Sequence, residues 1–244
     1  AFDSVQAEGQ TVVIIASSPT REPAILRLQI RDGRLASVDA LRPPRDLGLD
    51  PGWLAVPEHV SYPSSGGRTA HALFYPPGNP TCRAPGNEKP PLLVFIHGGA
   101  TSAARSTLRV DVQYWTSRGF LVLDVNHGGG TAYGRDYRGR LTGQWGVVDI
   151  DDVVCGVRSL ADAGRIDRDR VAIRGGSAGG YTVLRALTSS AVFAAGASYF
   201  GISDLAALLV DDHKFESRYT TTLVGPWPQA EQTYRERSPV HHIA

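Results

Sequence analysis

Two hydrophobic patterns divide the chain. Up to about residue 45, short apolar stretches alternate with turns: 11–16, 24–30 and 35–38, with Asp32-Gly33 as a hairpin pair between the last two. This part reads as antiparallel β with too few strands to bury both faces of a sheet, an incomplete repeat whose neighbours are missing. Residues 41–52, with Pro43, Pro44 and Pro51, read as a linker.

From Trp53 the pattern changes. Residues 59–62 and 69–75 read as strands joined by Pro63-Ser64-Ser65-Gly66-Gly67, and a Pro/Gly/Asn loop covers 76–91. The alternation then becomes β/α. The continuous apolar runs 92–96 and 120–125 suit parallel strands covered on both faces, with a helix predicted over 108–118 between them. Ile150, Val153, Val154, Val157 and Leu160 recur at the helical period. A strand is predicted to end at Gly176, a helix to follow, then a strand over 192–200 and a helix from 201 to 209. This is an α/β order, in which ligands sit at the carboxyl ends of the strands.

The strand ending at Gly176 leads into Gly175-Gly176-Ser177-Ala178-Gly179, the G-x-S-x-G of a nucleophile elbow. The pentapeptide alone also fits an ordinary turn, but a buried-type strand before it and a helix after it supply the context the motif requires. Its glycines have a steric reason: side chains there would collide with the strand or the following helix. Ser177 is therefore the candidate nucleophile. It needs a general base and amides aimed at a developing oxyanion, each worth on the order of 3 kcal/mol of barrier. Ala178 N–H is one candidate donor. His97-Gly98-Gly99-Ala100, immediately after strand 92–96, offers Gly98 and Gly99 as others. His97 itself is read as structural, because the base in such sites follows the serine.

Other features point to blander roles. The glycine-rich run from Asn126 to Gly134 fails the dinucleotide spacing, since Tyr133 stands where a glycine is needed. Asp149, Asp151 and Asp152 crowd the first turn of a helix without partnering His or Cys, which favours a helix-dipole role over a metal site. The net charge of +1 argues against nucleic acid as a partner, and no apolar run is long enough for a membrane span. Cys82 and Cys155 lack metal spacing and read as free thiols of a cytoplasmic protein. No metal or organic cofactor is expected.

His97-Gly98-Gly99, Asp124-Val125-Asn126 with Thr131-Ala132-Tyr133-Gly134, Trp145-Gly146 with Asp149 and Asp152, and the elbow through Tyr181 occur in an order that resembles the prolyl oligopeptidase family. Within it, the chain resembles the bacterial acylaminoacyl-peptidase and dipeptidyl aminopeptidase-like members. The resemblance, from Trp53 onward, implies an α/β-hydrolase fold over 46–244, with 1–45 the remnant of a β-propeller blade. It implies a serine peptidase acting on short peptides through an acyl-enzyme on Ser177. It also implies that the aromatics of Tyr199-Phe200 and of Phe215-Glu216-Ser217-Arg218-Tyr219 line the pocket for the residue before the scissile bond, with core packing as the competing role for each; Tyr181, just after the elbow, reads as either pocket or core. One departure stands out: the family commonly has an aromatic where this chain has His127.

The triad order of this fold is Ser, Asp, His. After Ser177 come Asp204, Asp211, Asp212, Glu216, Glu231 and Glu236, with His213, His241 and His242. Asp211 with His241 satisfies the order alone. Topology argues otherwise, because no strand pattern follows Phe200 to carry either group. The partial fold is thus expected to lack its last strands, the acid and base to lie beyond Ala244, and the chain as given to be inactive. A carboxylesterase or lipase-like hydrolase remains an alternative, since ester and amide share the acyl-enzyme route. A noncatalytic α/β-hydrolase-like binding module is the other.

Overall fold

The computed structural model describes residues 1–211 and 218–243. They form two compact units. One comprises Ala1–Pro57, Tyr75–Arg83 and Arg105–Gly119; the other comprises Glu58–Phe74, Ala84–Ala104 and the chain from Phe120.

The first unit holds β1 (Phe2–Glu8), β2 (Thr11–Ser18), β3 (Arg21–Arg31) and β4 (Arg34–Arg42), an antiparallel sheet in sequence order. Four strands in a meander is the form of a propeller blade. β1 escaped the sequence reading because it has no hydrophobic face: Phe2 and Val5 are exposed, and backbone pairing with β2 alone makes it a strand. β4 is exposed at every position. The same unit carries α1 (Val110–Thr116), shorter than the expected 108–118.

The second unit contains a six-stranded sheet. β5 (Glu58–Pro63) and β6 (Thr69–Tyr75) form an antiparallel pair, while β7 (Leu92–Ile96), β8 (Leu121–Asn126), β9 (Val171–Gly176) and β10 (Ala195–Tyr199) run parallel in the order β10-β9-β7-β8-β6-β5. The helices are α2 (Arg135–Gly139), α3 (Val148–Asp162), α4 (Ala178–Ser189), α5 (Leu205–Asp211), α6 (Tyr219–Val224) and α7 (Glu231–Arg237). This is an α/β-hydrolase sheet. Every residue of β7 is buried, and full burial of each such side chain contributes roughly 1.5–3 kcal/mol over exposure. Val153 and Val157 of α3 and Val183 and Ala186 of α4 close the same core. A second core gathers Trp145, Val148, Ala178, Tyr181, Leu205, Leu223 and Tyr234.

β10 and α5 are both shorter than expected, with the turn from 200 to 204 between them. Among the described residues no strand follows β10, which lies at the end of the sheet with all five residues exposed. No described helix is long and apolar enough to cross a membrane.

Candidate active site

β9 ends between its neighbours β7 and β10, and Ser177 is the single residue between β9 and α4. Its backbone sits at φ +56°, ψ −122°, a conformation that costs a non-glycine residue on the order of 1–3 kcal/mol. Hydrogen bonds hold it there: Ser177 N–H donates to Tyr199 O at 3.0 Å, and Ser177 O accepts from Tyr181 N–H at 3.0 Å. The residue is exposed, and its hydroxyl does not cap the helix it begins. Ser177→Gly is therefore expected to stabilise the chain by about 1 kcal/mol and raise the melting temperature by roughly 2–4 °C. An unchanged or lowered value would show that the corner carries no strain.

The expected glycine collisions are present. A Cβ on Gly175 would lie 2.6 Å from Gly179 O and 3.0 Å from Ile96 O. One on Gly179 would lie 2.5 Å from Ile96 O and 2.6 Å from His97 O. The two glycines let α4 start directly against the end of β7.

That approach brings the loop after β7 beside the serine. A Cβ on Gly98 would stand 3.3 Å from Gly176 O and 3.8 Å from the Ser177 Cβ, and Gly98 and Gly99 are both exposed. Ala178 N–H belongs to the first helical turn, where donors have no intrahelical acceptor. Gly99 turns the loop at φ +67°. Three anchors that sequence reasoning missed hold the loop. Asn126 grips Ala104 through both ends of its amide (Ala104 N–H to Oδ1, 2.7 Å; Nδ2 to Ala104 O, 3.2 Å). Thr101 bonds the Tyr219 hydroxyl through its N–H and its own hydroxyl, both at 3.0 Å. Thr131 N–H donates to Ser102 O at 3.3 Å. A buried amide at the end of the apolar strand β8 was the one visible sign of Asn126's role.

The candidate substrate residues separate. Phe200 is 84% exposed at φ +43°, and its ring lies over Gly176, 3.1 Å from where a Cβ would be. Tyr199 is 45% exposed, with the Arg174 guanidinium 5.0 Å from its ring centre. Tyr181 is completely buried, packs on Trp145 and donates its hydroxyl to Arg237 O at 3.1 Å, so it offers a ligand no surface. Phe215, Glu216 and Ser217 lie outside the described residues, as do Asp212 and His213.

The acidic cluster ties three different segments. Asp149 accepts from Gly146 N–H and the Thr182 hydroxyl, both at 2.7 Å; burial raises its pKa, against the pull of the His127 imidazole and these donors. Asp152 accepts from the Ser64 hydroxyl and from Gly128 N–H. Asp151 pairs with Arg68 at 3.0 Å. The carboxylates thus cross-link the sheet's loops to α3 and α4 in addition to meeting the helix dipole. Asp204 accepts from Ala206 and Ala207 N–H at the start of α5.

Four of the described imidazoles hydrogen-bond groups other than Ser177. His71 Nδ1 bonds the Ser61 hydroxyl, His97 Nδ1 the Gly98 carbonyl, His127 Nδ1 the Gly128 carbonyl and His242 Nε2 the Glu236 carbonyl. His241 and His242 lie in a 3-10 turn, Pro239–His242.

Residues 106–244 match the family model described as Prolyl oligopeptidase family. The chain belongs to the prolyl oligopeptidase family. Dipeptidyl aminopeptidase BIII of Pseudoxanthomonas mexicana is 36% identical over 120 residues, 49% of this chain and 17% of that protein. A solved Mycobacterium tuberculosis puromycin-hydrolyzing peptidase superposes on 98% of the chain with a TM-score of 0.91 and 45% identity, and the match covers 36% of its length. A solved puromycin hydrolase gives a TM-score of 0.93 at 38% identity over 99% of the chain, again 36% of its own. The chain thus spans about a third of these family structures. The matches extend through the four-stranded N-terminal sheet.

Proposed function

We propose that this chain carries the nucleophile and oxyanion site of a serine peptidase that cleaves short peptides. Ser177 attacks the scissile carbonyl, and the N–H groups of Ala178, Gly98 and Gly99 receive the oxyanion. Tyr199 and Phe200 flank the bound peptide, residues 1–45 belong to a propeller, and 46–244 to the catalytic domain. The observation carrying this reading is an exposed serine on a strained strand-to-helix corner with the Gly98 backbone packed against it. The names of the relatives, a dipeptidyl aminopeptidase and a puromycin-hydrolyzing peptidase, support peptides over simple esters. Cys82 and Cys155 are free thiols, which suits a cytoplasmic setting.

Proton transfer needs an imidazole at the Ser177 hydroxyl. One ring nitrogen each of His71, His97, His127 and His242 bonds a group other than Ser177, and among the described residues no hydrogen bond joins an imidazole to the Ser177 hydroxyl; residues 1–244 alone are expected to show only residual turnover. A test independent of that base is equilibrium capture of a dipeptidyl boronate. The ¹¹B resonance should move from the trigonal to the tetrahedral range with the wild-type chain and stay trigonal with Ser177→Ala. Identical behaviour of the two proteins would sink the reading, and equal affinity for a plain alkyl boronate would shift it to an esterase.

A further inference from the structure

We propose that His127 is a positioning residue for the oxyanion loop, acting through the ring of His97, and that this stacked pair makes the loop's presentation sensitive to pH. The inference rests on the oxyanion role given above to Gly98 and Gly99.

The two rings lie 4.8 Å apart between centres and 20° from parallel. Each Nδ1 bonds a carbonyl in its own loop: His97 to Gly98 O at 3.2 Å, and His127 to Gly128 O at 3.0 Å. A carbonyl only accepts, so each Nδ1 carries a proton and each Nε2 of a neutral ring is a bare lone pair. His97 Nε2 is sealed from solvent with no hydrogen-bond partner. A proton placed there has no acceptor and adds a buried charge against a neighbouring imidazole. Burial, followed by the proximity of His127, accordingly pushes the His97 pKa down to about 3.

The loop under His127 is buried and hydrogen-bonded, while the loop bearing His97 is exposed at Gly98 and Gly99. His127 is 1% exposed, and Gly128 N–H donates to Asp152 at 2.7 Å. Gly129 N–H donates to Tyr137 O at 2.9 Å. The charged groups around this segment are Asp149 and Asp152 from α3 and Arg140 from the turn after α2, whose Cδ is 3.2 Å from where a Gly128 Cβ would be. On the His97 side, the neighbours are the backbone of α4 at Gly179 and the elbow at Gly176 and Ser177. The Asp149 carboxylate interacts with the His127 ring, whose face lies against the ring of His97, so charge gained by either ring is felt across the stack. The Gly98 carbonyl that His97 holds shares its peptide unit with the Gly99 N–H and its residue with the Gly98 N–H, the amides proposed to meet the oxyanion. A change in the stack thus moves those amides directly.

The test follows the Gly98 and Gly99 amide resonances of the full chain by ¹H–¹⁵N NMR from pH 8 to pH 4.5, beside the imidazole resonances of His97 and His127. In wild type, both amides should shift with the same midpoint as a ring of the pair, and His127→Tyr, which keeps an aromatic face without titrating in this range, should abolish that shift. Dipeptidyl boronate affinity should fall at least threefold across the wild-type midpoint and stay level in the variant. Gly98 and Gly99 amides that do not follow an imidazole midpoint in wild type would overturn the proposal, whether or not the variant folds. So would a shift retained in His127→Tyr. If the boronate never binds, the oxyanion reading fails, while the amide titration still decides the coupling of the two rings to the loop.

Discussion

Alanine at Gly179 should lower the melting temperature of this chain by about 10 °C, a loss of roughly 3 kcal/mol. The added methyl would meet Ile96 O at 2.5 Å and His97 O at 2.6 Å, both backbone atoms at the end of the central strand β7. No flexible side chain can yield, so α4 must move away from β7. The motion carries Ala178 N–H away from the Gly98–Gly99 loop, and boronate capture at Ser177 should be lost along with the stability. Gly139→Ala is the matched control: a Cβ there meets nothing within 4 Å, and the position lies in α2 at ordinary helical φ. It should be neutral or slightly stabilising, since alanine favours the helix over glycine. Calorimetry of the three proteins decides the matter. A Gly179→Ala protein that melts within 2 °C of wild type would show that the close approach is not what glycine serves there.

Acid should weaken the fold through His97. In the unfolded chain this imidazole titrates near 6.5; in the folded one it stays neutral down to about 3, because its ring is buried and His127 stacks against it. Between those values the unfolded state binds the additional proton. The contribution of His97 is therefore fully present above pH 6.5 and declines as pH falls toward 3, by on the order of 4 kcal/mol across the window. Carboxylates with native partners add their own acid dependence, so the informative quantity is a difference. Urea unfolding of wild type and His97→Phe should give stability curves that converge or cross as pH drops from 7 to 4, with the phenylalanine protein the less acid-sensitive. Parallel curves would place a freely titrating imidazole at position 97.

Some of the molecule is written locally. The runs 92–96 and 120–125 are apolar at every or nearly every position, and only a strand covered on both faces makes use of that; both became central parallel strands. The apolar spacing from Ile150 to Leu160 has one solution, a helix with a buried stripe. The elbow is legible because its reasons are short-range: a corner residue, two glycines beside it, a strand before and a helix after. Other parts carry no local signature. β1 is a strand only because β2 offers it hydrogen bonds, and pairing of an exposed backbone leaves no hydrophobic pattern. Tyr181 follows the elbow closely in sequence, yet helical geometry turns it inward onto Trp145 and Arg237 O.

What the sequence determined by itself is the fold class, the family and the corner that presents Ser177, because strand, turn and helix preferences are settled among neighbours along the chain. What only the tertiary structure decided is how the site is held. Asn126 and Tyr219 clasp the 97–104 loop, Asp149 and Asp152 pin α3 to α4 and to the glycine run, and His127 lies on His97. Those partners are separated by tens of residues, and a hydrogen bond or ring contact of a few ångströms becomes visible only once the sheet order has brought their strands together.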